Sequence, residues 1–255
     1  MTGTTPPKIV SPADNLSFEC AQESCGFRGD ECICRPMHNH FDKAQLRAAR
    51  TLELNEGDQL APEDFPEPVV FAVLTGVIAV ESHLSDGRRS LLTLRLPGEY
   101  LDMNRADRHA SGEVVALAPT SVKLLPRTVF EELLLLDANL RRIYWRRATD
   151  IMHQQFDHSS DLGKKTPTER MASFIFELRN RLNIPRFVEE FALPISRQSI
   201  ADYLGLRAET VSRVFKGLEK EGLIKLVSKH QLAIIDFKGL RKIANGSRPR
   251  LSNHR

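Results

Sequence analysis

All four cysteines of the 255-residue chain fall within the stretch CAQESCGFRGDECICRPMHNH, at Cys20, Cys25, Cys32 and Cys34, and His38 and His40 follow them. Thiolates this close together suit zinc, an iron–sulfur cluster or a thiol–disulfide exchange. The C-x4-C-x6-C-x-C spacing leaves three readings open: a redox-labile cluster on the four thiolates, a zinc site or thiol switch, and reduced cysteines that bind nothing. A second chemical group lies in SRQSIADYLGLRAETVSRVFKGLEKEGLI, residues 196–224. Arg213 can pair bidentately with guanine, Glu209 can accept from cytosine N4, and Ser212 can serve a base edge or a phosphate. Lys216, with Arg197 at the start of the preceding helix, suits phosphate contacts, and Arg207 joins the same DNA-facing set.

Those side chains need two crossed helices to carry them. Ser196 is a plausible N-cap for a first helix that buries Ile200, Ala201 and Leu204. Gly205 permits the left-handed backbone of a tight interhelical turn, and Ala201 is small where a second helix must cross closely. The second helix starts at Ala208-Glu209-Thr210 and turns Val211, Val214, Phe215 and Leu218 inward. After Gly222, LIKLV and LAIID flank Ser228-Lys229-His230, a small hairpin that would make a basic wing. The spacing predicts a winged helix-turn-helix.

Charge distribution agrees. Residues 161–255 carry 19 Lys and Arg against 10 Asp and Glu, a balance of +9, whereas the whole chain is only +3. A basic C-terminal third on an acidic body suits a polyanion-binding module. The preceding segment, 51–126, reads as short strands at turn-separated intervals, with Ser85-Asp86-Gly87 as a hairpin signal and Leu92, Leu94 and Leu96 alternating along a half-buried strand. Between the two, an apolar seam of helical period runs over 128–158; Leu140, Ile143, Ile151 and Met152 are its candidate dimerisation residues. Thr166-Pro167-Thr168-Glu169 opens a further helix that ends near Leu182.

Enzyme chemistry finds no support. His153 and His158 are five apart, not the four that place two ligands on one helix face, and the sequence holds no P-loop, dinucleotide fingerprint or nucleophile elbow. No apolar run approaches the roughly eighteen residues of a membrane span. The start, MTGTTPPKIVSPADN, lacks a basic n-region followed by an apolar h-region, so a cytoplasmic protein without a signal peptide and without a membrane partner is expected.

ISRQSIADYLGLRAETVSRVFKGLEKEGLI resembles the winged helix-turn-helix of the Crp–Fnr transcription regulators, and VLTGVIAVESHLSDGRRSLLTLRLPGEYL resembles their β-roll sensor. The resemblance covers about four-fifths of the chain, 51–244. It implies an α+β protein with an N-terminal β-roll, a jelly roll of the cyclic-nucleotide-binding kind, a long dimerisation helix and a C-terminal winged helix-turn-helix. The expected organisation is a Cys-containing extension over 1–45, the sensor over 46–127, the dimerisation helix over 128–162 and the DNA-binding domain over 163–255. Glu209, Ser212 and Arg213 match the E-x-x-S-R set of the Fnr/FixK-like branch, implying a TTGAT-like half-site read by a homodimer; Ala208 replaces the additional arginine of the cyclic-AMP receptor branch. RNA polymerase is an implied partner, with the Asp86-Gly87 loop as one contact. Cyclic nucleotide is disfavoured: Gly98-Glu99-Tyr100 keeps the family's turn, but the positions aligned with its phosphate-binding Arg-Ser pair fall near Gly112-Glu113. Arg105 or Arg108 would have to take over that role.

For the cysteines, the resemblance points to the [4Fe–4S] cluster of the oxygen-sensing branch, but the sequence departs from that pattern. The spacing is wider, and Lys123 stands in TSVKLLP where the branch carries its distant β-roll cysteine. Cys34, His38 or His40 would have to supply the fourth ligand. The alternatives are a regulator of the same type without a cluster, FixK-like or responsive to a small ligand, and a ligand-binding module that does not bind DNA. Iron and sulfide assays on protein purified without oxygen separate the cysteine readings: a cluster gives a coloured protein with both elements, and a colourless, zinc-free preparation removes both metal readings.

Overall fold

The computed structural model describes residues 8–10, 49–103, 113–185 and 187–246. Cys20, Cys25, Cys32, Cys34, His38, His40, Arg105, Arg108 and Gly112 lie outside the described residues. The chain divides into two compact units, Met1–His153 and Gln154–Arg255.

The first unit is built on two antiparallel sheets. One has the order β1-β2-β9-β4-β7, from Lys8–Val10, Arg50–Leu54, Thr120–Pro126, Val69–Thr75 and Tyr100–Met103. The other has the order β3-β8-β5-β6, from Gln59–Leu60, Glu113–Ala116, Ile78–His83 and Arg89–Arg95. The crossovers make a jelly roll. Strand β4 explains why its sequence, VVFAVLT, is nearly all apolar. Val69, Phe71 and Val73 point into the core between the sheets with Leu52, Ile78, Val114 and Val122, while Val70 faces a second cluster with Tyr100 and Leu125. A strand covered on both faces gains from apolar residues at every position.

Strand β6 departs from simple alternation. Leu94 and Leu96 are buried, but Leu92 is 43 % exposed and Leu91 takes the inward place. The pairing of β5 with β6 shifts between Val80 and Glu81, so that Thr93 opposes Val80 and Leu91 opposes Glu81. This bulge leaves Leu92 without a partner and turns it out. Thr93 and Arg95 are buried as well, so the strand is not half-buried as its pattern suggested.

The helical stretch is two helices rather than one. Helix α1 spans Arg127–Leu136 and α2 spans Ala138–Lys164. Asp137 separates them: its backbone is extended at φ −113° and ψ 104°, and its Oδ1 accepts from the N–H groups of Asn139 and Leu140 at 2.8 and 3.1 Å. An aspartate that caps the next helix ends the previous one. Phe130 and Leu133 of α1 and Leu140 and Ile143 of α2 then bury against the outer face of the first sheet. Tyr144 stacks on Tyr100 with ring centroids 5.0 Å apart. No helix among the described residues is long and apolar enough to cross a membrane.

The second unit holds the end of α2, then α3 (Pro167–Arg181), α4 (Arg197–Leu204), α5 (Ala208–Lys220) and α6 (Phe237–Ala244). A three-stranded sheet of order β10-β12-β11 accompanies them, from Glu190–Ala192, Gln231–Ile234 and Ile224–Ser228. Helix α3 starts as its sequence predicts, with Thr166 accepting from the N–H of Glu169 and Glu169 reaching back to the N–H of Thr166 at 2.8 Å.

Phe71 is fully buried between the sheets. Phe71→Ala is expected to lower stability by about 3–5 kcal/mol, the cost of a large cavity, read as a fall in the urea midpoint.

Candidate nucleic-acid interface

Helix α4 begins at Ser196, whose side chain accepts from the N–H of Ser199 at 3.0 Å, and ends at Gly205, left-handed at φ 61°. Ile200 and Ala201 are fully buried, and Leu204 nearly so. The turn sends the chain into α5, which buries Val211, Phe215 and Leu218 against the unit and leaves Val214 half-buried. Three buried positions at helical spacing fix which side of α5 faces inward. The opposite side therefore carries Glu209, Ser212, Arg213 and Lys216, all exposed. These four side chains share one outward surface of a single helix, the arrangement a groove-reading helix needs.

Arg207 and Arg197 flank that surface in different ways. Arg207 is exposed and occupies the N-cap of α5, where it offers no acceptor to the first-turn N–H groups. The uncapped N–H groups leave positive potential at this end, beside a guanidinium. Arg197 is half-buried, and its guanidinium lies over the ring of Phe215, 3.7 Å from the centroid. Burial pushes its pKa below the usual arginine value. The guanidinium braces α4 on α5 through this stacking.

The wing follows from Gly222. Strands β11 and β12 pair antiparallel with a register shift between Leu226 and Ser228, and Lys225, Lys229 and His230 are exposed along the hairpin. The backbone N–H of Leu226 donates to the Glu219 carboxylate at 3.0 Å, tying the wing to α5. Strand β10, which pairs with β12 from Glu190 to Ala192, has no signal in the sequence beyond the apolar Phe191. It is too short for periodicity to mark.

On the long helix, the four candidate dimerisation residues occupy different surroundings. Leu140 and Ile143 are 0 % and 1 % exposed inside the chain's own core, and Ile151 is half-buried against it. Met152 is 48 % exposed. Trp145 and Phe156, each 63 % exposed, were not singled out from the sequence. Spacings of seven and eleven residues put all three on one face of α2, and that spacing was the available signal.

In the β-roll, Glu99 is buried, and its carboxylate accepts from the N–H of Leu96 at 3.0 Å within its own turn. Arg95 is buried beside it, donating to the carbonyls of Tyr100 and Leu94 at 3.0 and 2.8 Å. Lys123 is buried in β9, with Nζ 3.3 Å from the Thr51 hydroxyl. An ammonium has no lone pair for a metal, so this position supplies no ligand to a cluster. Among the described residues, no group of three or more His, Cys, Asp or Glu is placed to hold a metal ion.

Comparison with known proteins gives concordant results. Residues 169–243 match the Crp-like helix-turn-helix domain. The chain is 33 % identical over 224 residues to the nitrogen fixation regulation protein FixK of Bradyrhizobium diazoefficiens, covering 86 % of this chain and 90 % of that one. It is 33 % identical over 230 residues to the transcriptional activator protein FnrA of Stutzerimonas stutzeri, covering 88 % and 93 %. The structure of FixK2 from Bradyrhizobium japonicum aligns with a TM-score of 0.66 at 30 % identity, covering 76 % of this chain and 96 % of that one.

Gly205 holds a left-handed conformation that a side chain resists. Gly205→Ala is expected to destabilise the unit by about 1–2 kcal/mol, measured by thermal or urea unfolding, with no clash to relieve, since a Cβ there meets only ordinary contacts.

Proposed function

The chain belongs to the Crp–Fnr family of transcription regulators, in its Fnr/FixK branch, and on that premise we propose that it binds a TTGAT-like palindrome as a homodimer through the outer face of α5. It is a DNA-binding regulator and not an enzyme. The observation that carries the finer reading is the joint exposure of Glu209, Ser212 and Arg213 on the side of α5 opposite Val211, Phe215 and Leu218. Arg213 pairs with guanine and Glu209 accepts from cytosine on the complementary strand, while Ser212 adjusts to either neighbour. Lys216 and Arg207 bind phosphates that fix the register, joined by Lys225 and Lys229 of the wing. Arg197 reaches a phosphate only from its place on Phe215, so its main part is to hold α4 in line.

Dimerisation runs along α2 through Trp145, Met152 and Phe156. These exposed apolar residues are free to meet a second copy, whereas Leu140 and Ile143 are used within the protomer. RNA polymerase is a further partner, reached through surface loops of which Asp86-Gly87, at the tip of the β5–β6 hairpin, is one. Arg88 pairs with Asp86 at 2.8 Å and shapes that tip.

The input comes through the N-terminal thiols. With Lys123 at the β-roll position, a [4Fe–4S] cluster would draw its ligands from Cys20, Cys25, Cys32 and Cys34, and such a cluster would supply oxygen-labile redox chemistry. Cyclic nucleotide is not the input in this reading, because Glu99 is bonded into its own turn rather than turned to a ribose.

Gel shifts on a two-fold probe with half-sites one helical turn apart test this function; affinity should fall steeply with salt. Arg213→Ala should cost about 1–3 kcal/mol on the specific probe and relax discrimination at one guanine. Lys216→Ala should weaken specific and random DNA alike and lower the salt slope by about one. Equal losses on both probes for Arg213→Ala would remove that residue from base reading.

A further inference from the structure

One guanidinium gathers the ends of two helices in the second unit. Arg170, in the first turn of α3, donates to the carbonyls of Leu162 and Lys165 at 2.7 and 3.0 Å, where α2 ends, and to the carbonyl of Leu204 at 3.0 Å, where α4 ends. Carbonyls at a helix C-terminus lack intrahelical partners and carry negative potential, so a cation held among them satisfies both. Gly205 follows directly, and a Cβ there would lie 3.5 Å from Leu162 and 3.6 Å from the Arg170 guanidinium, which marks how closely the two helix ends meet.

A second contact joins the same two helices one turn earlier. His158 of α2 is 9 % exposed, and its ring lies flat on that of Tyr203 of α4, with centroids 4.0 Å apart and planes 9° from parallel. The Tyr203 hydroxyl donates to Glu177 of α3 at 3.1 Å, and Glu177 also accepts from Arg181 at 2.7 Å. A cavity of about 520 Å³ opens beside His158 and gives water a path to it.

We propose that Arg170 and His158 are positioning residues: together they lock α4 to the last two turns of the long helix, and through them the dimer enforces the separation of the two DNA half-sites. This rests on the two-fold DNA-binding reading above. Arg213 and Lys216 decide which bases and phosphates are met within one half-site. The lock decides where the second reading helix falls once the first is seated, since both descend from α2. A lysine at 170 keeps the charge but cannot fork across three carbonyls.

His158 makes the lock responsive to protons. Burial lowers its pKa below the ordinary 6.5, opposed by Glu177 and Asp161. The folded unit therefore takes up a proton at His158 less readily than the unfolded chain. The lock is at full strength above pH 6.5 and weakens as pH falls from there toward the lowered folded value. The other charged groups around it are Arg170 and Arg181 of α3, Asp157 of α2, Lys165, paired with Asp161 at 2.7 Å, and Arg241 of α6.

The test uses full-length protein on two probes, a palindrome with half-sites one helical turn apart and the same palindrome with one base pair inserted at its centre. Wild type prefers the first. Arg170→Lys, with an unchanged circular dichroism spectrum and dimer mass, should lose about tenfold or more of that preference while keeping base discrimination within a half-site, as expected when charge-assisted hydrogen bonds are removed. An undiminished preference overturns the inference. If Arg170→Lys does not fold, His158→Phe decides: it keeps a ring on Tyr203 but cannot titrate. Wild-type preference should decline between pH 7.5 and 5.5 and that of His158→Phe should stay flat; parallel profiles overturn the inference. A wild-type protein that binds DNA without any spacing preference overturns the two-fold reading itself.

Discussion

Two short helices can push one of their number outward only where they cross closely, and this chain meets that constraint within a few residues. Ala201 removes side-chain bulk at the crossing, Gly205 takes a left-handed conformation, and Val211 and Phe215 close the contact from the other side. Once those inward positions are filled, the helical repeat leaves Glu209, Ser212, Arg213 and Lys216 nowhere to point but away from the unit. The chemistry of recognition is thus a by-product of packing. The polar side chains need no scaffold of their own, because the apolar ones opposite them set their direction.

The long helix answers a different demand with the same repeat. Its first turns must cover the outer face of the β4-containing sheet, and Leu140, Ile143 and Tyr144 do so. Three further apolar side chains, Trp145, Met152 and Phe156, lie on another face and stay in solvent. Asp137 makes this division workable. By ending α1 and capping α2, it lets the two helices take separate directions while both reach the same cluster.

What could be read from the amino-acid order follows from how local each determinant is. The winged helix-turn-helix was legible because a cap, a left-handed glycine and an apolar repeat all act within a turn or two. The same holds for Thr166 and Glu169 at the start of α3. A β-rich sandwich or barrel was legible from the hairpin signals, and the jelly roll only from the family resemblance; the bulge that turns Leu92 out depends on the register of β5 against β6 and leaves no local mark. The apolar seam of the long helix merged two faces into one stripe, because Leu140 and Met152 look alike until the sheet beneath one of them is in place. Arg170 was invisible for a similar reason: its bond to Leu204 joins residues 34 apart. For the cysteine segment, outside the described residues, the spacing of the thiols and the lysine at position 123 are what bear on ligand chemistry.

The solvent-facing stripe on α2 has a consequence in the language of mass action. An indole and a thioether left in water are a standing free-energy penalty for the lone protomer, of order 25 cal/mol for each square ångström that a partner would cover. Any species that shields them favours the folded chain over the unfolded one by an amount that rises with the logarithm of its concentration. If that species is a second copy, as proposed above, the melting temperature rises with abundance, and dilution alone shifts the balance between folded and unfolded populations.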